Sequence, residues 1–529
     1  MLSTLAEIVL PKYACLDYSA LDELRRLGEV RVPWRDAAGG AVPTAIWACV
    51  AEGLPVYLLE PLSGLGSGPP AVASSPPFWR GASCYGEPDD TARFLFFSCA
   101  AVAFLDWSGR APDVLHLHDW QAAAVASLLA ARRASGGGHG GHGGHGGPAV
   151  TLTLHNMAFQ GRLSPEAASA APGLDPALTP GAAGVLGAML DAAGRAGPHG
   201  AVDLNLLQGG IACAHAVTTV SPTYAREVLG AEAGCGLERV LASAAASGKF
   251  GGVLNGIDSA EGFDPATDAA LASNFSAASP WPGKDACKRA LLAELGFAPD
   301  GPPAAATTSP PSPDTPPLYD DGAGEAHPGG RPLLAIVSRL SAQKGLDLME
   351  AMAAEAQARG ARLVVLGTAP DPADAARFAA LATAAEAGQD ARYRLCFSDA
   401  LARRIYAGAD ALLVPSRYEP CGLAQLIALR YGTIPIVRRT GGLADTVTDI
   451  ADGCAAEATR NGVVFDGLDP GAARTAVVRA LDAYRADAGA WWRGVLVPRA
   501  AGQDWSWSRS SAAYLDVYRR AMAMNGVRG

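Results

Sequence analysis

Several features that would mark a membrane, nucleic-acid-binding or zinc-finger protein are missing from this sequence of 529 residues. No apolar run reaches about 18 residues, the length that a membrane-spanning helix needs. Lys and Arg total 42 against 52 Asp and Glu, and the net charge of −10 argues against nucleic acid as a partner. The ten cysteines show no CxxC or finger-like spacing, which favours reduced structural thiols. The first residues, MLSTLAEIVLPKY, lack the basic segment and cleavage site of a leader peptide.

What is present is a regular alternation of short apolar runs with Ala-rich helical stretches, which is typical of doubly wound α/β sheets. Because the runs are apolar throughout, they suit parallel strands that helices cover on both faces. Ligands of such folds bind at the carboxyl ends of the strands. The predicted strands are residues 7–13, 54–60, 113–119, 149–156, 216–222, 250–256, 332–340, 361–367, 393–397, 411–416 and 434–439.

Two stretches have the composition of inserts. Residues 134–148, ASGGGHGGHGGHGGP, place His139, His142 and His145 at a spacing of three. Metal ligands need a fixed geometry that a polyglycine chain does not supply, so a low-complexity insert is favoured over a metal site. Residues 299–331, rich in Pro, Ala, Thr and Ser, are predicted to be a disordered loop.

Three motifs follow predicted strands in the second half of the chain. SRLSAQKG carries Arg339 and Lys344, two cations that suit a diphosphate, although a solvated loop explains them equally well. RRTGGLADTV places Gly441 and Gly442 at the start of a helix, where backbone N–H groups bind anions; a simple glycine turn is the alternative. SRYEPCGLAQ carries a single acid, Glu419, which is either a functional carboxylate or one that stabilises a helix N-terminus.

Two motifs of the first half also end in polar residues. HLHDWQ and TLHN place Asp119, His155 and Asn156 at the ends of predicted strands. A Ser-His-Asp triad is conceivable, but the sequence has no G-x-S-x-G elbow. A buried, hydrogen-bonded histidine remains the alternative for each motif taken alone.

Taken together and in this order, the motifs resemble those of the glycogen and starch synthases, a glycosyltransferase family (family 5) with the GT-B fold. The details look most similar to plant and algal soluble starch synthases of types III and IV. The motifs that carry the resemblance are EIVLPKY, YGEPDD, HLHDW, LHNMAFQG, TTVSPTYAREV, GVLNGID, SRLSAQKGLDL, IYAGADALLVPSRYEPCGLAQ, YGTIPIVRRTGGLADTV and QDWSWSRS.

The resemblance implies an α/β fold in which two Rossmann-like doubly wound domains face a central cleft. The implied organisation is an N-terminal domain at 1–257, a linker at 258–331 and a nucleotide-sugar-binding domain at 332–505. A C-terminal helix at 506–529 is expected to pack back on the N-terminal domain. One departure concerns the family's K-[TV]-G-G-L-G-D-V loop: the chain starts at what resembles the second strand, so we expect the first domain to be incomplete.

The resemblance also implies roles for individual residues. Arg339 and Lys344 match the family's pair on the donor diphosphate, Glu419 matches the carboxylate on the donor glucose, and Asp119 and His155 match residues that face the transferred sugar. Phe397 stands where the family often has a Tyr stacked on adenine. The remaining implied donor-binding residues are Asn255, Cys421, Gly422, Leu423, Thr440, Gly441 and Gly442.

The implied activity is transfer of glucose from ADP-glucose to the non-reducing end of an α-1,4-glucan, with retention of configuration. No cofactor and no metal are expected, because Arg and Lys replace Mg²⁺ at the diphosphate. The resemblance further implies a plastid location and association with other starch-synthesis enzymes, with neither nucleic acid nor membrane as a partner. The alternative is a catalytically impaired paralogue, or a fragment, that binds glucan or acts as a scaffold.

Overall fold

The computed structural model of the protein describes residues 6–19, 21–37, 40–66, 75–78, 83–136, 147–190, 202–298, 330–388 and 390–526. The chain divides into two compact units. The first comprises 1–219, 225–252 and 514–529, and the second comprises 220–224 and 253–513. Most of the two predicted inserts, including His139, His142 and His145, lies outside the described residues.

The first unit contains two four-stranded sheets. One has the order β1-β4-β3-β2, with β1 parallel to β4 and the other pairs antiparallel; the other has the order β10-β9-β6-β5 and is wholly parallel. A short antiparallel pair joins β7 and β8. The strands are β1 (Ile8–Pro11), β2 (Asp22–Pro33), β3 (Ala41–Ala51), β4 (Leu54–Pro61), β5 (Val114–His118), β6 (Ala149–Leu154), β7 (Arg162–Leu163), β8 (Leu204–Asn205), β9 (Ala216–Thr219) and β10 (Phe250–Gly252).

Helices cover the parallel sheet of this unit, which is why β6, with the sequence AVTLTL, is buried at every position. The helices in this part of the chain are α1 (Asp90–Ser108), α2 (Asp119–Ala134), α3 (Pro165–Ala168), α4 (Ala182–Met189), α5 (Leu206–Cys213), α6 (Pro222–Glu227), α7 (Ala231–Gly234) and α8 (Glu238–Ala246).

The second unit is built around one six-stranded parallel sheet with the order β13-β12-β11-β14-β15-β16. Its strands are β11 (Leu333–Val337), β12 (Arg362–Leu366), β13 (Ala391–Arg394), β14 (Ala411–Val414), β15 (Ile434–Arg438) and β16 (Val463–Phe465). Its helices are α9 (Gly283–Glu294), α10 (Leu346–Ala358), α11 (Pro372–Ala387), α12 (Asp399–Gly408), α13 (Ala424–Arg430), α14 (Gly441–Thr446), α15 (Pro470–Arg485) and α16 (Val497–Ala501). The last helix of the chain is α17 (Trp507–Met524), whose residues from Tyr514 onward group with the first unit.

The boundaries of the two compact units differ from those of the expected domains. Residues 220–224 and 253–257, expected in the first domain, and 506–513, expected in the helix that packs on it, group with the second unit. Residues 258–298, which the sequence assigned to a linker, belong to the second unit. Phe275, Leu291 and Phe297 of this segment are buried in the same apolar cluster as residues of β11 and β14. Their burial explains this last difference, because a segment that contributes to a core is part of the domain. In the part of the chain that the structure describes, no helix is both long and apolar enough to cross a membrane.

Candidate active site

Two predicted site residues of the second unit form an ion pair at the carboxyl end of its sheet. Lys344 Nζ lies 2.5 Å from Glu419 Oε2, and Ser416 donates its hydroxyl to the same oxygen at 2.8 Å. Glu419 is only 6% exposed. A carboxylate at this depth needs a cation and hydrogen bonds as partners, and both are present.

The approach of Lys344 to this carboxylate depends on a glycine. Lys344 ends a 3₁₀ turn, and Gly345 follows it with a φ of 72°. A Cβ at this position would lie 2.4 Å from the carbonyl oxygen of Pro415, just after β14. Arg417 N–H donates to the Gln343 carbonyl at 2.8 Å, which joins the two loops beside the pair. The SRLSAQKG and SRYEPCGLAQ motifs are therefore packed against each other.

The TGG turn packs against the same loop. Gly442 N–H donates to the carbonyl of Glu419 at 2.9 Å, and a Cβ at Gly442 would lie 2.0 Å from the Cys421 carbonyl oxygen. Only glycine fits such a close backbone approach. Thr440 and Gly441, which precede it at the start of α14, are buried.

Cys421, the central residue of the Pro-Cys-Gly turn, is buried. Burial raises the pKa of its thiol to about 12, although the backbone N–H of Asn255 donates to the sulfur. The Oδ1 atom of Asn255 is itself buried and has no hydrogen-bond partner among the described residues. The structure thus brings two predicted donor-binding residues together and leaves one amide oxygen unsatisfied beside them.

Other side chains that hold this loop were not predicted. Gln425 donates from Nε2 to the carbonyls of Cys421 and Gly422 at 3.1 and 2.8 Å. Ser221 donates its hydroxyl to the Pro420 carbonyl at 2.6 Å, and Asp445 accepts from the backbone and hydroxyl of Thr223. All stand within quoted motifs, but their contacts join segments far apart in sequence, which spacing alone cannot reveal.

Three predicted residues lie near this site without joining the contact network. Arg339 follows β11 and is exposed, and its guanidinium makes no ion pair with a described residue. Phe397 follows β13 and is 89% exposed, and Leu423 is 47% exposed at the start of α13. Because all strands of this sheet are parallel, the loops after β11, β13 and β14 lie at the same edge. The side chains of Arg339 and Phe397 are therefore accessible to a ligand at this edge of the sheet.

The first unit brings its own predicted pair together. Asp119, the first residue of α2, has a φ of 54° and accepts a hydrogen bond from the His155 N–H at 2.6 Å. Burial raises the pKa of the Asp119 carboxyl. The charge of His155 and the backbone N–H groups of His155 and Asn156 oppose this shift. The ring of His155 contacts His118 through Nε2 and Nδ1, 3.0 Å apart. Asp119 and His155 therefore act as one polar cluster at the ends of β5 and β6.

His116, which was not predicted as a site residue, lies behind this cluster. Its ring nitrogens contact Thr153 Oγ1 at 2.7 Å and the Tyr518 hydroxyl at 2.8 Å. Burial, followed by the neighbouring His118 and His155, lowers its pKa to about 3, so the ring is neutral at physiological pH. Across the described ranges, no group of three or more His, Cys, Asp or Glu residues is arranged to hold a metal ion.

The arrangement offers two sets of chemical groups. The second unit supplies cations, buried carboxylate and backbone N–H groups, which suit a phosphorylated sugar. The first unit supplies a carboxyl and imidazoles, which suit hydrogen bonding to sugar hydroxyls.

Two protein families match the chain. Residues 3–243 match the family described as Starch synthase catalytic domain, and residues 321–482 match Glycosyl transferases group 1. These matches correspond to the first and second halves of the chain.

Similar proteins are found in plants and bacteria alike. Probable starch synthase 4, chloroplastic/amyloplastic, of Arabidopsis thaliana is 35% identical over 520 residues, which are 98% of this chain and 44% of that protein. This chain thus spans less than half the length of that plant relative. The glycogen synthase of Syntrophotalea carbinolica is 35% identical over 525 residues, which are 98% of this chain and 92% of that protein.

A solved structure is similar over nearly the same range. The catalytic domain of starch synthase IV from Arabidopsis thaliana, bound to ADP and acarbose, matches with a TM-score of 0.80 and 34% identity, and the match covers 98% of this chain and 92% of that one. These findings confirm both the predicted fold and the predicted family. The chain belongs to the starch and glycogen synthase family of glycosyltransferases, and it has the GT-B fold of that family.

Proposed function

We propose that this chain transfers glucose from ADP-glucose to the non-reducing end of an α-1,4-glucan, with retention, in starch biosynthesis. The observation that carries the proposal is the buried Lys344–Glu419 pair at 2.5 Å in a chain similar to a catalytic domain that binds ADP and acarbose. A soluble starch synthase of type III or IV, located in a plastid and associated with other starch-synthesis enzymes, is the specific form that we propose.

In this proposal Arg339 and Lys344 stabilise the departing diphosphate. The bond between the anomeric carbon and the diphosphate oxygen breaks, and the negative charge that develops needs cations or N–H donors close by. Arg339 is exposed and free of ion pairs among the described residues, and Lys344 already lies in an anion-binding position. Two such cations perform the task that Mg²⁺ performs elsewhere, so the proposed reaction requires no metal.

Glu419 and the Pro-Cys-Gly turn are proposed to hold the donor glucose, and Phe397 to stack on the adenine. The anomeric carbon becomes oxocarbenium-like as the diphosphate leaves, and nearby carboxylate and carbonyl groups stabilise this positive charge. The acceptor hydroxyl then attacks from the face that the diphosphate has left, and its proton passes to the departing phosphate oxygen. Asp119 and His155 are proposed to contact the transferred sugar.

The test is glucose incorporation into glycogen from labelled ADP-glucose, with UDP-glucose in parallel. We expect ADP-glucose to be preferred, and both Lys344→Met and Glu419→Gln to lower kcat/KM by about 100-fold or more. Arg377→Met serves as a matched control, because it also removes one cation of an ion pair. Arg377 on α11 pairs with Glu350 on α10, and this pair is exposed.

Binding measurements separate the proposal from its alternative. ADP binding with wild-type turnover in both variants would contradict the roles of Lys344 and Glu419. Glucan binding with no transfer from either nucleotide sugar would instead support a glucan-binding protein without catalysis.

A further inference from the structure

Two cysteines of the first unit lie in contact. Cys15 Sγ and Cys84 Sγ are 3.8 Å apart although 69 residues separate them in sequence. Cys15 lies in the turn that follows β1, and Cys84 lies in the segment that precedes α1. Both are partly exposed, so a soluble reagent can reach them.

The contact is imposed by the surrounding framework. Ala14 N–H donates to the Phe78 carbonyl at 3.0 Å, and the Tyr13 ring meets the Phe78 ring edge-on with centroids 5.4 Å apart. The fully buried Arg93 donates from Nη2 to the Cys84 carbonyl at 3.2 Å and from Nη1 to the Pro77 carbonyl at 3.0 Å. The backbone on either side of the two sulfurs is thus held in place.

We propose that Cys15 and Cys84 are a modification site at which a reversible intrachain disulfide forms. A disulfide bond is about 2.05 Å long, so the sulfurs must approach by less than 2 Å, roughly the scale of a side-chain rotation. No change of fold is required.

The reaction is a thiol–disulfide exchange with a small disulfide or a disulfide-bearing protein as the oxidant. One thiolate attacks the oxidant and forms a mixed disulfide, which releases one thiol of the oxidant. The second cysteine then attacks the first sulfur and releases the other thiol, so that the two cysteines are oxidised and the oxidant's disulfide is reduced. Burial and the adjacent Cys15 raise the pKa of Cys84, so oxidation should accelerate with rising pH as thiolate forms.

The bond would fix the loop beside Asp119. Tyr85 follows Cys84, and burial, then Cys84 and Asp119, raise the pKa of its hydroxyl. The Tyr85 ring packs on Phe94, and Phe94 packs on Trp120, the residue after Asp119. Oxidation therefore acts on the loop that adjoins the polar cluster of the first unit.

The experiment equilibrates the full chain with defined ratios of reduced and oxidised glutathione and then blocks remaining thiols at low pH. Non-reducing peptide mapping should identify a Cys15–Cys84 cross-linked peptide that dithiothreitol removes. Because the bond would close a long loop, the oxidised protein should unfold at a temperature about 5–10 °C higher.

Variants make the result specific. Cys15→Ser and Cys84→Ser should each abolish both the cross-link and the oxidant-dependent rise in Tm. Cys454→Ser, at an exposed cysteine of the second unit, should retain both. If Cys15 and Cys84 are alkylated as completely as Cys454 in oxidised buffer and no cross-linked peptide forms, the proposal is wrong. That result is independent of glucosyl transfer, so it does not bear on the proposed function.

Discussion

The pair of Lys344 and Glu419 should contribute both to stability and to donor binding. Side-chain exposures of 16% and 7% place the two charges largely out of water. Removal of one partner leaves the other charge uncompensated, which costs about 3–5 kcal/mol in buried pairs. We therefore expect Lys344→Met to lower the free energy of unfolding by about 3 kcal/mol, measured by urea titration.

The double variant provides the control for this prediction. Lys344→Met with Glu419→Leu removes both charges and should recover most of the lost stability while donor binding stays impaired. The exposed pair of Arg377 and Glu350 should change stability by less than about 1 kcal/mol when Arg377 becomes Met. Equal losses at both pairs would contradict the role assigned to burial.

Phe397 allows a test of donor binding that stability effects do not confound. The side chain is 89% exposed, so its loss should leave the Tm unchanged. If it stacks on adenine, Phe397→Ala removes about 1–3 kcal/mol of base stacking and weakens ADP binding about 10-fold or more, measured by calorimetry. Phe397→Tyr should bind as the wild type does. An unaltered affinity in Phe397→Ala would exclude stacking.

At the scale of single residues, the sequence indicated which residues share a site, but it did not indicate the hydrogen bonds that position them. The structure places Lys344 beside Glu419 and Asp119 beside His155, and the resemblance had assigned each pair to one site. The roles of these residues in that site stay predictions. Ser416, by contrast, gave no signal, because its hydrogen bond to Glu419 depends on the turn that follows β14. The hydrogen bond from the backbone N–H of Asn255 to the Cys421 sulfur joins positions 166 residues apart, and no local sequence pattern predicts such a contact.

At the scale of elements, most parallel strands were predictable, whereas the antiparallel pair of β2 and β3 was not. The five predicted strands of the second unit correspond to β11 to β15 within a few residues. Four of them are largely apolar runs; β13, with the sequence ARYR, is the exception, and its predicted range lies two to three residues too far toward the C-terminus. β2 carries several charged residues and is mostly exposed, so a search for apolar runs passes over it. β3, its partner, and the three-residue β16 were missed as well, although β3 (AVPTAIWACVA) is largely apolar and β16 (VVF) is buried throughout.

The histidine behind β5 makes the first unit sensitive to acid. His116 has a folded-state pKa of about 3, below its ordinary value near 6.5, because it is buried. Between these two values the unfolded chain binds the proton and the folded chain does not. Stability should therefore fall as pH drops below 6.5, by about 2 kcal/mol at pH 5.

The measurement is urea unfolding of the first unit from pH 7.5 to pH 5. His116→Gln keeps a polar side chain without a titrating group, so it should be less stable at pH 7.5 but show a flatter dependence on pH. His215 carries a pKa lowered to about 4 by burial and should account for part of the remaining slope. An unchanged slope in His116→Gln would contradict the assignment.

At the scale of the whole molecule, the first unit depends on residues from the far end of the chain. Residues 514–529 group with it, and Tyr518 of α17 hydrogen-bonds to His116, 402 residues earlier. Asn525 donates to the Gly147 carbonyl at 2.8 Å. The first unit is therefore complete only when the last helix has been synthesised.

This dependence predicts that a charge on the inner face of α17 destabilises the first unit selectively. Val517 is 1% exposed, and an unpaired aspartate there should lower the free energy of unfolding by about 3 kcal/mol or more. In calorimetry, Val517→Asp should shift one transition down by about 10 °C, and ADP should still raise the transition of the second unit. Leu515→Asp, at a 39% exposed position on the same helix, is the matched control and should shift neither. If Val517→Asp instead moved both transitions equally, the two units would unfold as one. The stability of the second unit would then depend on α17 as strongly as the stability of the first unit does.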